Sequence, residues 1–229
     1  MSRPVLLDLF CGAGGAAMGY HRAGFDVVGV DIKPQPRYPF AFHQADALTF
    51  PLDGFDAIHA SPPCQAYSHL RVLPWMRDRD YWDSIPPTMA LLRSQTLPWV
   101  VENVDSAQSM AALGDTIRLC GTEFGLAWED GVPLYRHRLF ASSFTINVPE
   151  HRPHKRGAMT SGRDNMAASG RFVTGNRSVR LNNGRVIGGH QAANIDNPIG
   201  VPWMRGNEAA QAIPPAYTEY IGRQLIERL

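Results

Sequence analysis

A short apolar run, Val5–Phe10, breaks into Cys11-Gly12-Ala13-Gly14-Gly15 and resumes as a helical period over Ala16–Ala23. Few folds accommodate that order. The run has β-branched and aromatic character and the length of a strand, not of a buried helix. The glycines make a sharp turn into the helix, and Gly24 stands where a helix C-terminal cap belongs. A strand that hands over to a helix sends the chain back across the sheet, so the next strand lies parallel to the first.

The alternation continues. Asp26–Val30 is a second buried strand ending in Asp31, and Phe42–Ala47 and Phe55–Ala60 hold two more. Pro34, Pro36 and Pro39 keep the stretch between them extended. Pro86–Leu97 reads as a helix with proline in its first turn and Pro98 as its stop. Trp99–Asn103 and Leu139–Phe144 are further strands. Alternation through residues 1–145 gives an α/β class with a mostly parallel sheet covered on both faces. Residues 157–190 are rich in Gly, Asn, Arg and Ser without a lasting period. Arg171–Thr174 and Ser178–Leu181 are short alternating pieces around turns such as Asn182-Asn183-Gly184. A helical period returns from Glu208 to Leu229, interrupted at Ile213-Pro214-Pro215. The expected organisation is a core of residues 1–145, a small basic region 146–204, and a C-terminal helix 205–229 returning to the core.

Charge separates along the chain. Residues 1–150 carry 11 Lys and Arg against 16 Asp and Glu, whereas residues 151–185 carry 8 against 1. A basic block in an otherwise acidic chain points to a polyanionic partner, the bland alternative being a solvated basic loop. Cys11, Cys64 and Cys120 are odd in number and form no CxxC pair. This spacing suggests neither a disulfide framework nor a metal site, and it suits a reducing cytosol. No apolar stretch is long enough to span a membrane.

Three segments carry chemistry. The turn Asp8–Gly15 lies at the carboxyl edge of the sheet, where such folds bind ligands. Gly12, Gly14 and Ala17 satisfy a loose G-x-G-x-x-A pattern with Asp31 beyond it, so by this pattern alone a nicotinamide cofactor fits. Asp8 inside the turn region suits a cationic sulfonium better than a pyrophosphate, and Asp46 at the next strand end is placed to accept from an adenine amino group. Pro62-Pro63-Cys64 follows the fourth strand, and the prolines restrict the backbone that carries the thiol. Cys120, in an apolar stretch, fits a buried structural cysteine. Glu102 ends an apolar strand, where a carboxylate is costly to desolvate and needs a partner or a task. Arg136 and Arg138 alternate into the next strand and point the same way, towards a bound pyrimidine or phosphate or towards salt bridges on a solvated face. The segment from Gln65 to Ser84, with Arg71, Trp75 and Trp82, reads equally as a mobile lid or a packed surface excursion.

Taken in order, these residues resemble the cytosine-5 DNA methyltransferase family. Asp8–Gly15 matches its S-adenosylmethionine motif, Pro63-Cys64-Gln65 its nucleophile motif and Glu102-Asn103-Val104 its glutamate motif. Gly131-Val132-Pro133 with Arg136 and Arg138 resembles its Gly-Val-Pro-Gln-x-Arg-x-Arg stretch, with Leu134 in place of Gln. Ile213-Pro214-Pro215 and the following helix resemble its final motif, with Gln211 in place of Asn. The stretch between is cut to about 55 residues, a compact form with a short target-recognition region.

The resemblance implies a Rossmann-like methyltransferase sheet and methyl transfer from S-adenosylmethionine to carbon 5 of cytosine in double-stranded DNA. Cys64 would be the nucleophile, Glu102 the partner of the ring's N3 and amino group, and Arg138, supported by Arg136, the holder of its O2 side. Asp8, Phe10, Cys11, Gly12, Gly14, Gly15, Asp31, Ile32, Asp46, Ala47 and Pro63 would line the cofactor site. Gln65, Ser68, Arg71, Lys155, Arg156, Arg163 and Arg171 would contact nucleic acid. No metal is expected, and a monomer in the cytosol of a bacterial or phage-infected cell is. RNA as substrate, or a catalytically silent DNA-binding relative, remain the alternatives.

Overall fold

The structure is a computed structural model that describes residues 2–67, 80–128, 131, 133–151, 153–154, 179–180, 186–187, 198–205 and 207–229. Seven strands form one sheet: β1 (Val5–Leu9), β2 (Asp26–Asp31), β3 (Ala41–Gln44), β4 (Ala57–Ala60), β5 (Trp99–Val104), β6 (Ile117–Leu119) and β7 (Arg138–Ser142). Their spatial order is β3-β2-β1-β4-β5-β7-β6. Strands β1 to β5 run parallel, and β7 runs antiparallel between β5 and β6. The expected α/β, mostly parallel sheet is therefore present. A separate antiparallel pair joins β8 (Val179–Arg180) to β9 (Val186–Ile187). Of the two short pieces expected there, Ser178–Leu181 contains β8, and Arg171–Thr174 lies outside the described residues.

Register sorts the side chains into two cores. Leu6, Ala57, Val100 and Phe140 face helices α1 (Gly15–Ala23) and α5 (Pro215–Ile226), with Tyr20, Tyr217 and Ile221. Leu7, Leu9, Ile58, Val101 and Leu139 face α2 (Ile85–Arg93) and α3 (Ala107–Leu113), with Met89 and Leu92. Burial on both faces explains why the central strands are apolar in their first residues on both sides. One step of two residues along each strand moves the first face from apolar to polar. Leu6 gives way to Asp8, Ala57 to His59, Val100 to Glu102, and Phe140 to Arg138. Asp8, His59 and Glu102 lie towards the carboxyl ends of their parallel strands, and Arg138, which opens the antiparallel β7, lies at the same edge of the sheet.

Boundaries differ from expectation where side chains intervene. Helix α2 ends at Arg93 rather than Leu97, because Ser94 Oγ and Gln95 Nε2 donate to the Leu91 carbonyl (2.7 and 3.2 Å) and close the last turn. Strand β7 spans Arg138–Ser142, two residues short of Phe144, because the Ser142 hydroxyl folds over onto the Phe144 carbonyl. Helix α3 was not expected. It starts at Ser106, whose side chain accepts from Ser109 N at 3.1 Å.

Helix α4 (Asn207–Gln211) precedes the Ile213-Pro214 break, and α5 then lies along α1. Gly19 makes that approach possible, because a Cβ there would overlap Thr218 Oγ1 and the Pro215 carbonyl. Thr218 Oγ1 donates across the seam to Ala16 O at 2.9 Å. Gly19→Val is expected to destabilise the protein by about 1–3 kcal/mol or more through overpacking, read as a lower midpoint in thermal or urea unfolding. An unchanged midpoint would contradict this packing.

Candidate functional site

Two loops and two strand ends build the site. After β1 the backbone turns through positive φ at Phe10, Gly12 and Gly14 (56°, 49° and 85°). Glycine at 12 serves both conformation and access, since a Cβ there would meet nothing within 4 Å. Asp31, at the end of β2, braces the turn, its Oδ2 accepting from Gly12 N at 3.1 Å and its Oδ1 from Lys33 N at 2.9 Å. Ile32 beside it is 67% exposed, an unusual position for a large apolar side chain next to a carboxylate. Asp46 is exposed two residues beyond β3, with Oδ1 accepting from Leu48 N at 3.0 Å, and Ala47 behind it is buried.

Asp8 lies beneath the turn, fully buried. Tyr38 donates to its Oδ2 at 3.4 Å, and Oδ1 has no partner within the protein. Burial, opposed by the tyrosine hydrogen bond and reinforced by Asp31, pushes its carboxyl up to about 8. Cys11 donates weakly to Gly12 O at 3.5 Å, and burial beside Asp8 and Asp31 keeps it a neutral thiol. An open glycine cradle over an unpartnered buried carboxyl oxygen fits a ligand that brings positive charge or donors. A pyrophosphate would meet like charge at Asp31.

The second loop, Ser61-Pro62-Pro63-Cys64, leaves β4 and is held from three sides. Asn103 Nδ2 donates to Pro62 O at 2.9 Å, Ser84 Oγ donates to Pro63 O at 3.0 Å, and Tyr67 N donates to Cys64 O at 3.0 Å. Asn103 is fixed in turn, because its Oδ1 accepts from Val104 N and Ser109 Oγ. The cysteine is thus positioned by β5, by the residue before α2 and by its own turn. Beneath the loop, His59 joins Tyr20 OH (3.0 Å) to Ser61 Oγ (2.8 Å). Burial lowers its pKa to about 3, so it is neutral and structural.

Glu102 is nearly fully buried at the end of β5, with Oε1 2.9 Å from Arg138 Nε. Burial raises its pKa, and the Arg138 and Arg136 charges pull it back. The same two arginines act on Cys64. Burial raises the thiol pKa, Arg138 lowers it, Glu102 raises it, and Arg136 lowers it. The Cys64 thiol, the Glu102 carboxylate and the two guanidiniums therefore share one electrostatic environment.

Arg136 differs from expectation. Its Nη2 donates to the Ala210 and Ala212 carbonyls (both 2.7 Å), and its own carbonyl accepts from Tyr217 OH at 2.6 Å. It anchors the C-terminal segment, and burial lowers its guanidinium to about 9. Arg138 is the arginine that faces the carboxylate.

Gln65 is exposed beside Cys64. Ser68, Arg71, Lys155, Arg156, Arg163 and Arg171 lie outside the described residues, as does most of the expected lid. From that segment Trp82 is described, half-exposed and tilted over Phe10 at 6.5 Å. The sequence reading missed Trp203, whose Nε1 donates to Ala13 O at 2.8 Å and ties residues 199–204 to the glycine turn. It also gave no structural task to Asn103. An isolated Trp has no periodic signal, but an asparagine directly after a strand-end glutamate was a visible cue.

No protein-family profile matches the chain. It is 57% identical over 35 residues to the type II methyltransferase M.XorII of Xanthomonas oryzae pv. oryzae, a match covering 15% of this chain and 8% of that protein. Among solved structures, the Entamoeba histolytica methyltransferase EhMeth superposes with a TM-score of 0.59 at 10% identity, covering 100% of this chain and 99% of that one. The Spodoptera frugiperda DNMT2 mutant structure superposes less well, with a TM-score of 0.43 at 19% identity over 66% of this chain and 54% of that one. The fold is the Rossmann-like methyltransferase fold. Among the described residues, no helix is long and apolar enough to cross a membrane.

Proposed function

We propose that the protein transfers a methyl group from S-adenosylmethionine to carbon 5 of cytosine in DNA, through transient covalent attack by Cys64. The observation that carries this reading is the convergence of a clamped cysteine with a buried Glu102–Arg138 pair at the same sheet edge as the glycine turn. The methyl donor is S-adenosylmethionine. When bound, it supplies an electrophilic methyl group beside the turn. Gly12 would give its body room, Gly14 lets the turn pack against Tyr38 and Pro39, Asp31 and Asp46 would suit its ribose and adenine donors, and Ile32 would give it an apolar surface. Asp8 Oδ1 would offer an unpartnered oxygen beneath the turn, and a cationic ligand above it would draw the raised carboxyl towards its ionised form.

The protein's own residues then act on the base. Cys64 thiolate adds to carbon 6, which turns carbon 5 into a nucleophile. Glu102 hydrogen-bonds N3 and the exocyclic amino group, where charge develops. Arg138 holds Glu102 in place and faces the O2 side of the ring. After methyl transfer the carbon 5 proton leaves and the Cys64 sulfur is expelled, restoring the aromatic ring. A stacked base is out of reach of the sulfur, so the cytosine is turned out of the duplex first. The basic stretch of residues 151–185 supplies phosphate contacts, and affinity falls steeply as salt rises.

Incubation with donor labelled on the methyl group, and with duplex DNA, single-stranded DNA or tRNA, tests the assignment. Label in 5-methylcytosine of duplex DNA is the expected result. Label confined to tRNA would move the same chemistry to RNA. No transfer to any of the three would leave a silent nucleic-acid binder.

A further inference from the structure

A second constellation of chemically active side chains sits away from the glycine turn, at the β6–β7 edge. Cys120, His137, His151 and His154 each present one ligand atom, and these four atoms lie within 4.8 Å of one another. We propose that this one cysteine and these three histidines form a structural zinc site that fastens the segment 151–154 to the catalytic sheet.

The sheet delivers the first two ligands. Leu119 pairs with Arg138 in the antiparallel ladder, so the next residues outward, Cys120 and His137, stand opposite each other. The other two ligands come from His151 and His154, in the stretch that follows β7 and runs directly into the basic block. Cys120 Sγ lies 3.5 Å from His154 Nε2. That separation suits two corners of a tetrahedron around zinc, with metal–sulfur and metal–nitrogen bonds of about 2.3 and 2.0 Å. The three imidazoles crowd together, with centroids 4.9 to 5.4 Å apart.

The surroundings match the outer shell of a metal centre. The Glu123 side chain is buried, and its Oε1 lies 2.8 Å from His151 Nδ1 while its Oε2 accepts from Cys120 N at 3.1 Å. One carboxylate therefore orients two of the four ligands. Asp105 Oδ2 lies 3.6 Å from His137 Nδ1, which leaves His137 Nε2 buried and without a partner. Carboxylate-backed histidines with the opposite nitrogen turned inwards are the usual support for a bound metal.

The ligand set selects the metal. One thiolate and three imidazoles in a compact four-cornered arrangement favour zinc over calcium or magnesium, which take oxygen ligands. Four protein ligands leave no open position, so the site is structural and not catalytic. Zinc binding displaces the Cys120 thiol proton to solvent, and no oxidant or reductant is required. The metal would fix the root of the basic block at the strand that carries Arg138. The wide spacing of the three cysteines hid this site in the sequence. One cysteine suffices, because the fold gathers three histidines around it.

The test uses the full chain with no polyhistidine tag. Elemental analysis of protein purified with zinc present should give one zinc per chain. After removal of metal with a chelator, Co2+ alone should restore one equivalent and produce the intense ligand-field and thiolate charge-transfer absorption of tetrahedral cobalt. Cys120→Ser should lose the charge-transfer band, and His154→Ala should lower the stoichiometry. If either variant fails to fold, the wild-type Co2+ spectrum still decides. No zinc in the purified chain together with no Co2+ spectrum would overturn the proposal, as would a full spectrum in folded Cys120→Ser. These readouts need neither methyl donor nor nucleic acid, so they stand or fall separately from the methyl-transfer reading.

Discussion

Cys64→Ala is expected to lower methyl transfer by about 10⁴-fold or more, the scale on which loss of a covalent nucleophile acts. Binding of S-adenosylmethionine should be unchanged, because the glycine turn is braced by Asp31 and Trp203 and not by the thiol. The measurement pairs labelled-methyl turnover with calorimetry of donor binding. Residual turnover near the wild-type level would remove Cys64 from the chemistry. Loss of donor binding would make the residue structural. The pH profile gives a second handle. Burial pushes the thiol up, Arg138 opposes it, and Glu102 adds to it, so the thiol is mostly protonated near neutrality. The thiolate is the attacking form, and kcat/KM should therefore rise with pH through the neutral and mildly alkaline range. A profile flat across that range would mean that another group sets the rate.

Glu102→Gln is expected to lower kcat by about 10²–10³-fold, the effect of losing one preorganised partner for charge that develops in the reaction. The amide keeps the shape and can still accept from Arg138, so the fold should survive. Glu102→Ala asks a different question. It leaves the Arg138 guanidinium, 14% exposed, without its counter-charge. Breaking one side of a buried pair costs about 3–5 kcal/mol, so the alanine variant should also unfold at markedly lower urea. Equal stability of the two variants would mean that the pair contributes no structural support. Equal activity of Glu102→Gln and wild type would exclude the carboxylate from the reaction.

Much of this arrangement was legible because it follows short-range rules. Val5–Phe10 followed by glycines fixed a strand, a turn and a helix, and the apolar runs at 26–31, 57–60 and 99–104 are the continuous signature of strands buried on both sides. The strand-end positions of Asp31 and Glu102, and of Cys64 just after β4, were visible for the same reason. What escaped depends on contacts between distant segments. Arg136 and Arg138 share a strand-like period, yet one closes onto Ala210 and Ala212 while the other meets Glu102, and spacing cannot separate the two. Asn103 clamps Pro62 across 41 positions. Strand β6 is three residues long, too short for any period to register, yet with β7 it brings Cys120 opposite His137.

The most direct test of the central claim is to trap the bond itself. Duplex DNA carrying 5-fluorocytosine, mixed with the protein and S-adenosylmethionine, should give a covalent complex that survives denaturation, because fluorine at carbon 5 cannot leave as a proton does. Peptide mass spectrometry should place the modified base on Cys64, and Cys64→Ser should form no complex. Methylated cytosine in ordinary DNA without any trapped complex, or an adduct mapped to Cys11 or Cys120, would contradict the account.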